Sequence, residues 1–184
     1  MSVADLLRGL LGYDRLYPWL EPSKLHLRTC VVGTSLLTPH EDVDRAHLDL
    51  VEADIARSGY VKFPLVVDVR TFIVLDGHHR LEALKELGIR YAPVFFVDYA
   101  ESYVDVYPFR KDIRVSKTSV VVRALVERSL YPPKTTRHVY HGVSVLPTFT
   151  PLELLEAPHK YSRALLIAPD VVCYFQFYRL DSAS

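Results

Sequence analysis

The densest chemistry in the chain lies in five consecutive residues, Asp76-Gly77-His78-His79-Arg80. An apolar, β-rich run from Thr71 to Leu75 precedes them, and Leu81, Leu84 and Leu87 follow at helical spacing. A strand therefore passes through a glycine into the first turn of a helix. That turn leaves backbone N–H groups unpaired and carries partial positive charge. Gly77 puts no side chain in the way, so a phosphate can settle on those amides. Basic residues in a first turn oppose the helix dipole unless an anion compensates them, and His78, His79 and Arg80 stand there. Gly77, His78, His79 and Arg80 are thus the candidate phosphate holders. Asp76, at the end of the strand, either holds Mg2+ or caps the helix. The bland reading of the same residues is an N-cap, a turn and a solvated basic face.

Two further segments carry usable groups. Pro132 to His138 is a polar loop in which Lys134, Thr135, Thr136, Arg137 and His138 form a dense run of donors. Arginine grips carboxylates and phosphates bidentately, and threonine hydroxyls add neutral hydrogen bonds. A solvated basic loop after a helix explains the run equally well. Thr38-Pro39-His40-Glu41 has the form of a capping box, with Thr38 as N-cap, Pro39 at N1 and Glu41 at N3. On residues alone, Glu41 is a helix cap. A zinc site built from His78, His79, His138 and His141 is disfavoured, because adjacent histidines rarely reach one ion and no helical His spacing links them.

The elements that must position these groups follow from periodicity. The first twenty residues give a short amphipathic helix and a turn at Tyr17-Pro18. Leu25 to Leu36 is strand-like, and Thr38 to Arg57 reads as a helix with Leu48, Val51 and Ile55 on one face. Phe63–Val67 and Thr71–Leu75 form a hairpin, and His78–Leu87 is a helix that Gly88 stops. Arg90–Val97 and Ser102–Phe109 are strands, Ser116–Leu130 is a helix with Val120, Ala124 and Leu125 inward, and Arg163–Leu180 holds two more strands. The sum is an α+β fold with a small mixed sheet flanked by helices. It is a single domain over 1–184, with room for two lobes and a cleft between 76–80 and 134–138.

Bulk properties narrow the function. The 22 basic residues balance 22 acidic ones, whereas a duplex-binding protein carries a basic excess for phosphate contacts. No apolar run reaches the roughly 20 residues that span a bilayer, and the N-terminus lacks a secretory layout, so a cytoplasmic location is expected. Cys30 and Cys173 lie in separate apolar runs without metal-ligand spacing and read as two buried reduced thiols. The chain has no asparagine and one glutamine, Gln176, a depletion that points to a hyperthermophilic source.

Asp-Gly-His-His-Arg-Leu-Glu-Ala-Leu at 76–84 resembles the D-G-x-[HR]-R motif of the ParB/sulfiredoxin-like superfamily, and the preceding hairpin pattern fits too. Sulfiredoxins carry a catalytic cysteine in this loop, where this chain has His78. Chromosome-partitioning ParB proteins continue into a helix-turn-helix domain and a basic surface, which this short neutral chain does not match. The free L-serine kinases fit better: Thr38-Pro39-His40-Glu41 and Pro133-Lys134-Thr135-Thr136-Arg137-His138-Val139 both resemble their motifs. The resemblance implies a kinase that moves a phosphoryl group from ATP or ADP to L-serine with Mg2+, giving O-phosphoserine for cysteine biosynthesis. It implies Glu41 as general base, Asp76 as Mg2+ ligand and catalytic residue, and Gly77, His78, His79 and Arg80 on the nucleotide phosphates. Thr135, Thr136, Arg137 and His138 would hold serine. No nucleic acid or membrane partner is expected. Two departures stand out: those kinases place an aromatic residue before a Tyr-Pro pair where Val106 stands here, and this chain lacks a segment that longer members carry before the Lys134 loop. The alternatives are a ParB-like nucleotide-binding regulator or DNA adaptor without turnover, or a kinase of another small hydroxyl compound.

Overall fold

A computed structural model describes residues 1–161 and 164–174. Helix α1 (Val3–Leu11) is capped by Ser2 and buries Val3 and Leu7. A short helix α2 (Pro22–Leu25) leads into β1 (Thr29–Gly33). The long helix α3 (Arg45–Ser58) follows, then a short β2 (Tyr60–Val61). The expected hairpin is β3 (Leu65–Asp68) with β4 (Val74–Asp76), and it feeds α4 (His78–Glu86). Gly88, at φ 73°, closes α4 by donating to the Lys85 carbonyl, as its position in the sequence indicated. Next come β5 (Tyr91–Val97), β6 (Val104–Pro108) and α5 (Lys117–Val121), which widens into a π-helical turn over Val122–Glu127. β7 (Thr136–Tyr140), β8 (Thr150–Pro151), α6 (Leu152–Glu156), β9 (Ala164–Ala168) and β10 (Val171–Tyr174) complete the described chain.

Six strands form one mixed sheet in the order β4-β3-β5-β1-β10-β9, in which only β3 and β5 run parallel. Its central strands are buried on both faces, so their sequences run largely apolar, as in Leu65-Val66-Val67 and Val94-Phe95-Phe96-Val97, rather than alternating. The strand period of two assigns the faces. Leu65, Val67 and Val74 pack with Leu48, Ile55, Leu81 and Leu84 of α3 and α4. Val66, Ile73 and Leu75 pack with Val3 and Leu7 of α1 and with Val120, Val121 and Ala124. β6 and β7 form a separate antiparallel ribbon, with Val106 opposite His138 and Pro108 opposite Thr136.

Three expectations are corrected. The first long helix starts at Arg45, not Thr38, with Asp44 as N-cap accepting from the His47 amide at 2.9 Å. Residues 38–41 are extended instead. Thr38 bridges to Ile73 and Glu41 to Tyr131, so inter-segment pairing takes the backbone groups that a helix turn would use. The polar loop is shorter than expected, because its second half, from Thr136, is strand β7. Finally, Cys30 and Cys173 form a disulfide rather than two reduced thiols. They are directly opposed in the antiparallel β1–β10 pair, a closeness that a sequence separation of 143 hid from sequence reading. The expected strands at the tail are β9 and β10 up to Tyr174, and positions 175–180 lie outside the described residues.

Candidate active site

The junction at residue 77 is built as its sequence required. Gly77 sits at φ 100°, in the left-handed region, and is itself the N-cap of α4, so no side chain caps that end. A Cβ at this position would lie 3.0 Å from both Arg80 Nη2 and Leu65 Cγ. Asp76 is therefore not the cap. Its side chain is 63% exposed and pairs with Arg80 at 3.2 Å.

The charge argument for this turn changes in the folded chain. His78 is buried, and burial, then the neighbouring His40 and His138, hold it well below the ordinary imidazole range. Burial, followed by His47, also lowers His79, whose Nε2 accepts the Asp44 amide hydrogen at 3.0 Å. Only Arg80 keeps a permanent charge. Its guanidinium donates to the Phe63 and Pro64 carbonyls, both at 2.9 Å, and to Asp76, so it braces the chain entering β3.

Glu41 faces the other segment. Four donors converge on its carboxylate: the Lys134 amide at 2.7 Å on Oε1, and on Oε2 the Thr135 amide at 3.1 Å, the Thr136 amide at 2.8 Å and the Thr136 hydroxyl at 2.8 Å. Lys134, at φ 57°, turns the chain so that these successive amides point one way. Thr135 is fully buried and its hydroxyl donates to the Pro132 carbonyl, so it shapes the loop from within. Arg137 is exposed and has no ion pair among the described residues. His138 meets the Tyr99 hydroxyl at 3.0 Å through Nε2, and burial keeps its ring uncharged at neutral pH.

The 76–80 and 134–138 segments meet on one cavity of about 1080 Å³. Glu41, Asp76, Gly77, His78, His79, Arg80, Lys134, Thr136, Arg137 and His138 all line it, and Thr135 lies behind. The His40 ring joins the two sides, with ring centroids 4.6 Å from His78 and 5.5 Å from His138. Leu50, Val51, Tyr60 and Phe63 give the same cavity an apolar part. Val106 does not line it, but Phe109 does, and the Phe109 amide donates to the Thr135 carbonyl at 2.7 Å. Sequence reading missed Phe109, His47 and the role of His40. Only His40, beside Glu41 in the 38–41 motif, left a signal there. Among the described residues no group of three or more His, Cys, Asp or Glu could hold a metal.

No family model matches the chain. Its sequence is 31% identical over 83 residues to an ATP-dependent L-serine kinase of Staphylothermus marinus, a match over 43% of this chain and 33% of the relative. An ADP-dependent L-serine kinase of Thermococcus kodakarensis is 28% identical over 91 residues, 47% of this chain and 38% of the relative. A ParB-like protein of Sulfolobus acidocaldarius is 33% identical over 82 residues, 45% and 41%. The chain thus matches well under half the length of these curated relatives. A solved free serine kinase in complex with AMP superposes with a TM-score of 0.62 at 18% identity, over 71% of this chain and 94% of that one. The fold is the mixed α+β fold of the free serine kinases. In sequence as well, the chain is similar to L-serine kinases that use ATP or ADP.

Proposed function

We propose that the protein is a kinase that transfers a phosphoryl group from ATP or ADP to the hydroxyl of free L-serine, giving O-phospho-L-serine. The observation that carries the reading is the shared cavity, where a helix N-terminus without a side-chain cap and a carboxylate held by loop amides face one space. Phosphoryl transfer needs little beyond that: positioning, charge neutralisation and a group that orients the nucleophile. The amides at Gly77–His79 receive the nucleotide phosphates, while Arg80 holds the junction in shape. Lys134 and Arg137 supply positive charge toward the anionic groups. Glu41 takes the hydroxyl proton. Arg137, with Thr136 and His138, binds serine, and Thr135 fixes the loop that carries them.

Asp76 fits Mg2+, since an exposed single carboxylate beside a phosphate site suits an ion that keeps most of its waters. When bound, the ion would neutralise charge on the phosphates. A product that feeds cysteine biosynthesis, in the cytoplasm, accords with this activity. No helix among the described residues is long and apolar enough to cross a membrane. A kinase of another small hydroxyl compound is the second reading: Val106, which stands where the resembled kinases place an aromatic residue, does not line the cavity, and Phe109 is the aromatic neighbour instead.

The test is direct. Purified protein with Mg2+, L-serine and either ATP or ADP is followed by 31P NMR for O-phosphoserine. A phosphomonoester signal that depends on serine supports the reading. Its absence with both donors, at temperatures up to the unfolding transition, contradicts it.

A further inference from the structure

His40 has no task in the reaction as proposed, yet it is fully buried at the centre of the site. Its Nδ1 lies 2.8 Å from the Val74 carbonyl oxygen and its Nε2 2.9 Å from Thr136 Oγ1. Thr136 Oγ1 in turn lies 2.8 Å from Glu41 Oε2. Both ends of this chain of contacts are acceptors. A carbonyl oxygen cannot donate, so Nδ1 must carry a hydrogen. A carboxylate cannot donate either, which leaves the single hydroxyl hydrogen of Thr136 to serve two contacts. Three contacts therefore share two hydrogens. With His40 neutral and Glu41 a carboxylate, the chain is one hydrogen short.

The surroundings of His40 do not supply it. The His78 ring of α4, the His138 ring of β7 and the Tyr131 ring stand edge-on at 4.6, 5.5 and 6.4 Å, and the His40 amide faces His78 Nε2 at 3.4 Å. Burial keeps both histidine neighbours uncharged and pushes His40 itself down to about 4, against the Val74 carbonyl. The Glu41 carboxylate, reached through Thr136, is the charged group in this chain of contacts.

We propose that Glu41, Thr136 and His40 form one proton-accepting unit, which the hydrogen removed from the acceptor hydroxyl completes. The acceptor in this step rests on the kinase reading above. The acceptor O–H bond breaks, its hydrogen binds Glu41 Oε2, and the electron pair stays on the acceptor oxygen to form the new O–P bond, while the bond from that phosphorus to the nucleotide's bridging oxygen breaks and leaves its electron pair on the departing nucleotide. The new Glu41 O–H donates to Thr136 Oγ1. The Thr136 hydroxyl then turns its own hydrogen to His40 Nε2. Each of the three contacts now holds one hydrogen, while the Lys134 amide still donates to Glu41 Oε1. His40 is a positioning residue in this scheme, since it touches no substrate and acts through Thr136.

The test needs no substrate. Protein labelled at histidine nitrogens and glutamate side-chain carbons is titrated by NMR, reading His40 15N and Glu41 13Cδ together. The unit predicts a single protonation step seen at both residues with one midpoint. Thr136→Val should separate the two midpoints by at least one pH unit, whereas Thr136→Ser, which keeps the hydroxyl, should restore the common one. In turnover, His40→Gln should lower kcat at least tenfold with little change in KM for the nucleotide, and should flatten the acidic limb of the pH–kcat profile. Independent midpoints in the unsubstituted protein, unchanged by Thr136→Val, would overturn the unit. A shared midpoint in a protein that makes no O-phosphoserine would leave the unit standing and remove the kinase reading instead.

Discussion

At Gly77 a hydrogen atom does what no side chain could. The residue combines φ 100° with a space closed at 3.0 Å by Arg80 and Leu65, so any Cβ meets both backbone strain and contact. Gly77→Ala is expected to lower folding stability by about 1–2 kcal/mol. It should also weaken nucleotide binding, read by calorimetry with AMP or ADP. Arg137 makes the opposite kind of contribution. It is exposed and uncommitted, so Arg137→Ala should leave the urea midpoint within experimental scatter while raising KM for serine about tenfold or more, the scale of one lost charge-assisted bond. Sequence alone reached both residues, because a strand-glycine-helix junction and a run of donors are local signals. It misjudged His78 and His79, whose charge is set by burial and then by the neighbouring His40, His138 and His47, residues remote in the chain.

Elements show the same division. The β3–β4 hairpin and α4 were legible because their apolar residues repeat at the strand and helix periods. The start of α3 was not, since Thr38-Pro39-His40-Glu41 meets every local rule for a capping box. What decides it is pairing with Ile73 and Tyr131, invisible in a local window. That displacement is what frees Glu41 from a helix turn and sets it against the Lys134 loop. Arg80 acts at this scale too, by tying α4 to the Phe63 and Pro64 carbonyls. Arg80→Lys keeps the charge but cannot span both carbonyls and Asp76 in one plane. The expected outcome is a loss of roughly 1–2 kcal/mol in stability, with faster amide exchange over residues 61–66.

For the molecule as a whole, the histidine cluster makes stability depend on pH. His40, His78 and His138 have folded values depressed below the unfolded imidazole, so their contribution is full above about pH 6.5 and is lost as pH falls. Asp68 works the other way, because burial raises it to about 6 and it stabilises the fold as it takes a proton below that pH. Three histidine slopes outweigh one carboxyl slope. Urea midpoints should therefore fall between pH 7 and pH 5. The Cys30–Cys173 bond acts on the same scale by closing a loop of 143 positions between a central strand and the penultimate strand of the sheet. Replacing both cysteines by serine should lower stability by roughly 2–5 kcal/mol. Strand runs around both cysteines were readable, but their partnership was not, because sheet order is a property of the folded chain.

Every role proposed for the shared cavity depends on Glu41 taking the acceptor proton. Glu41→Gln, compared with the unsubstituted protein in O-phosphoserine formation at saturating nucleotide and serine, measures this most directly. Turnover should drop about 10^2–10^4-fold, the range for a lost general base, while nucleotide still binds. A Glu41→Gln protein that binds nucleotide and forms O-phosphoserine at the original rate would contradict it.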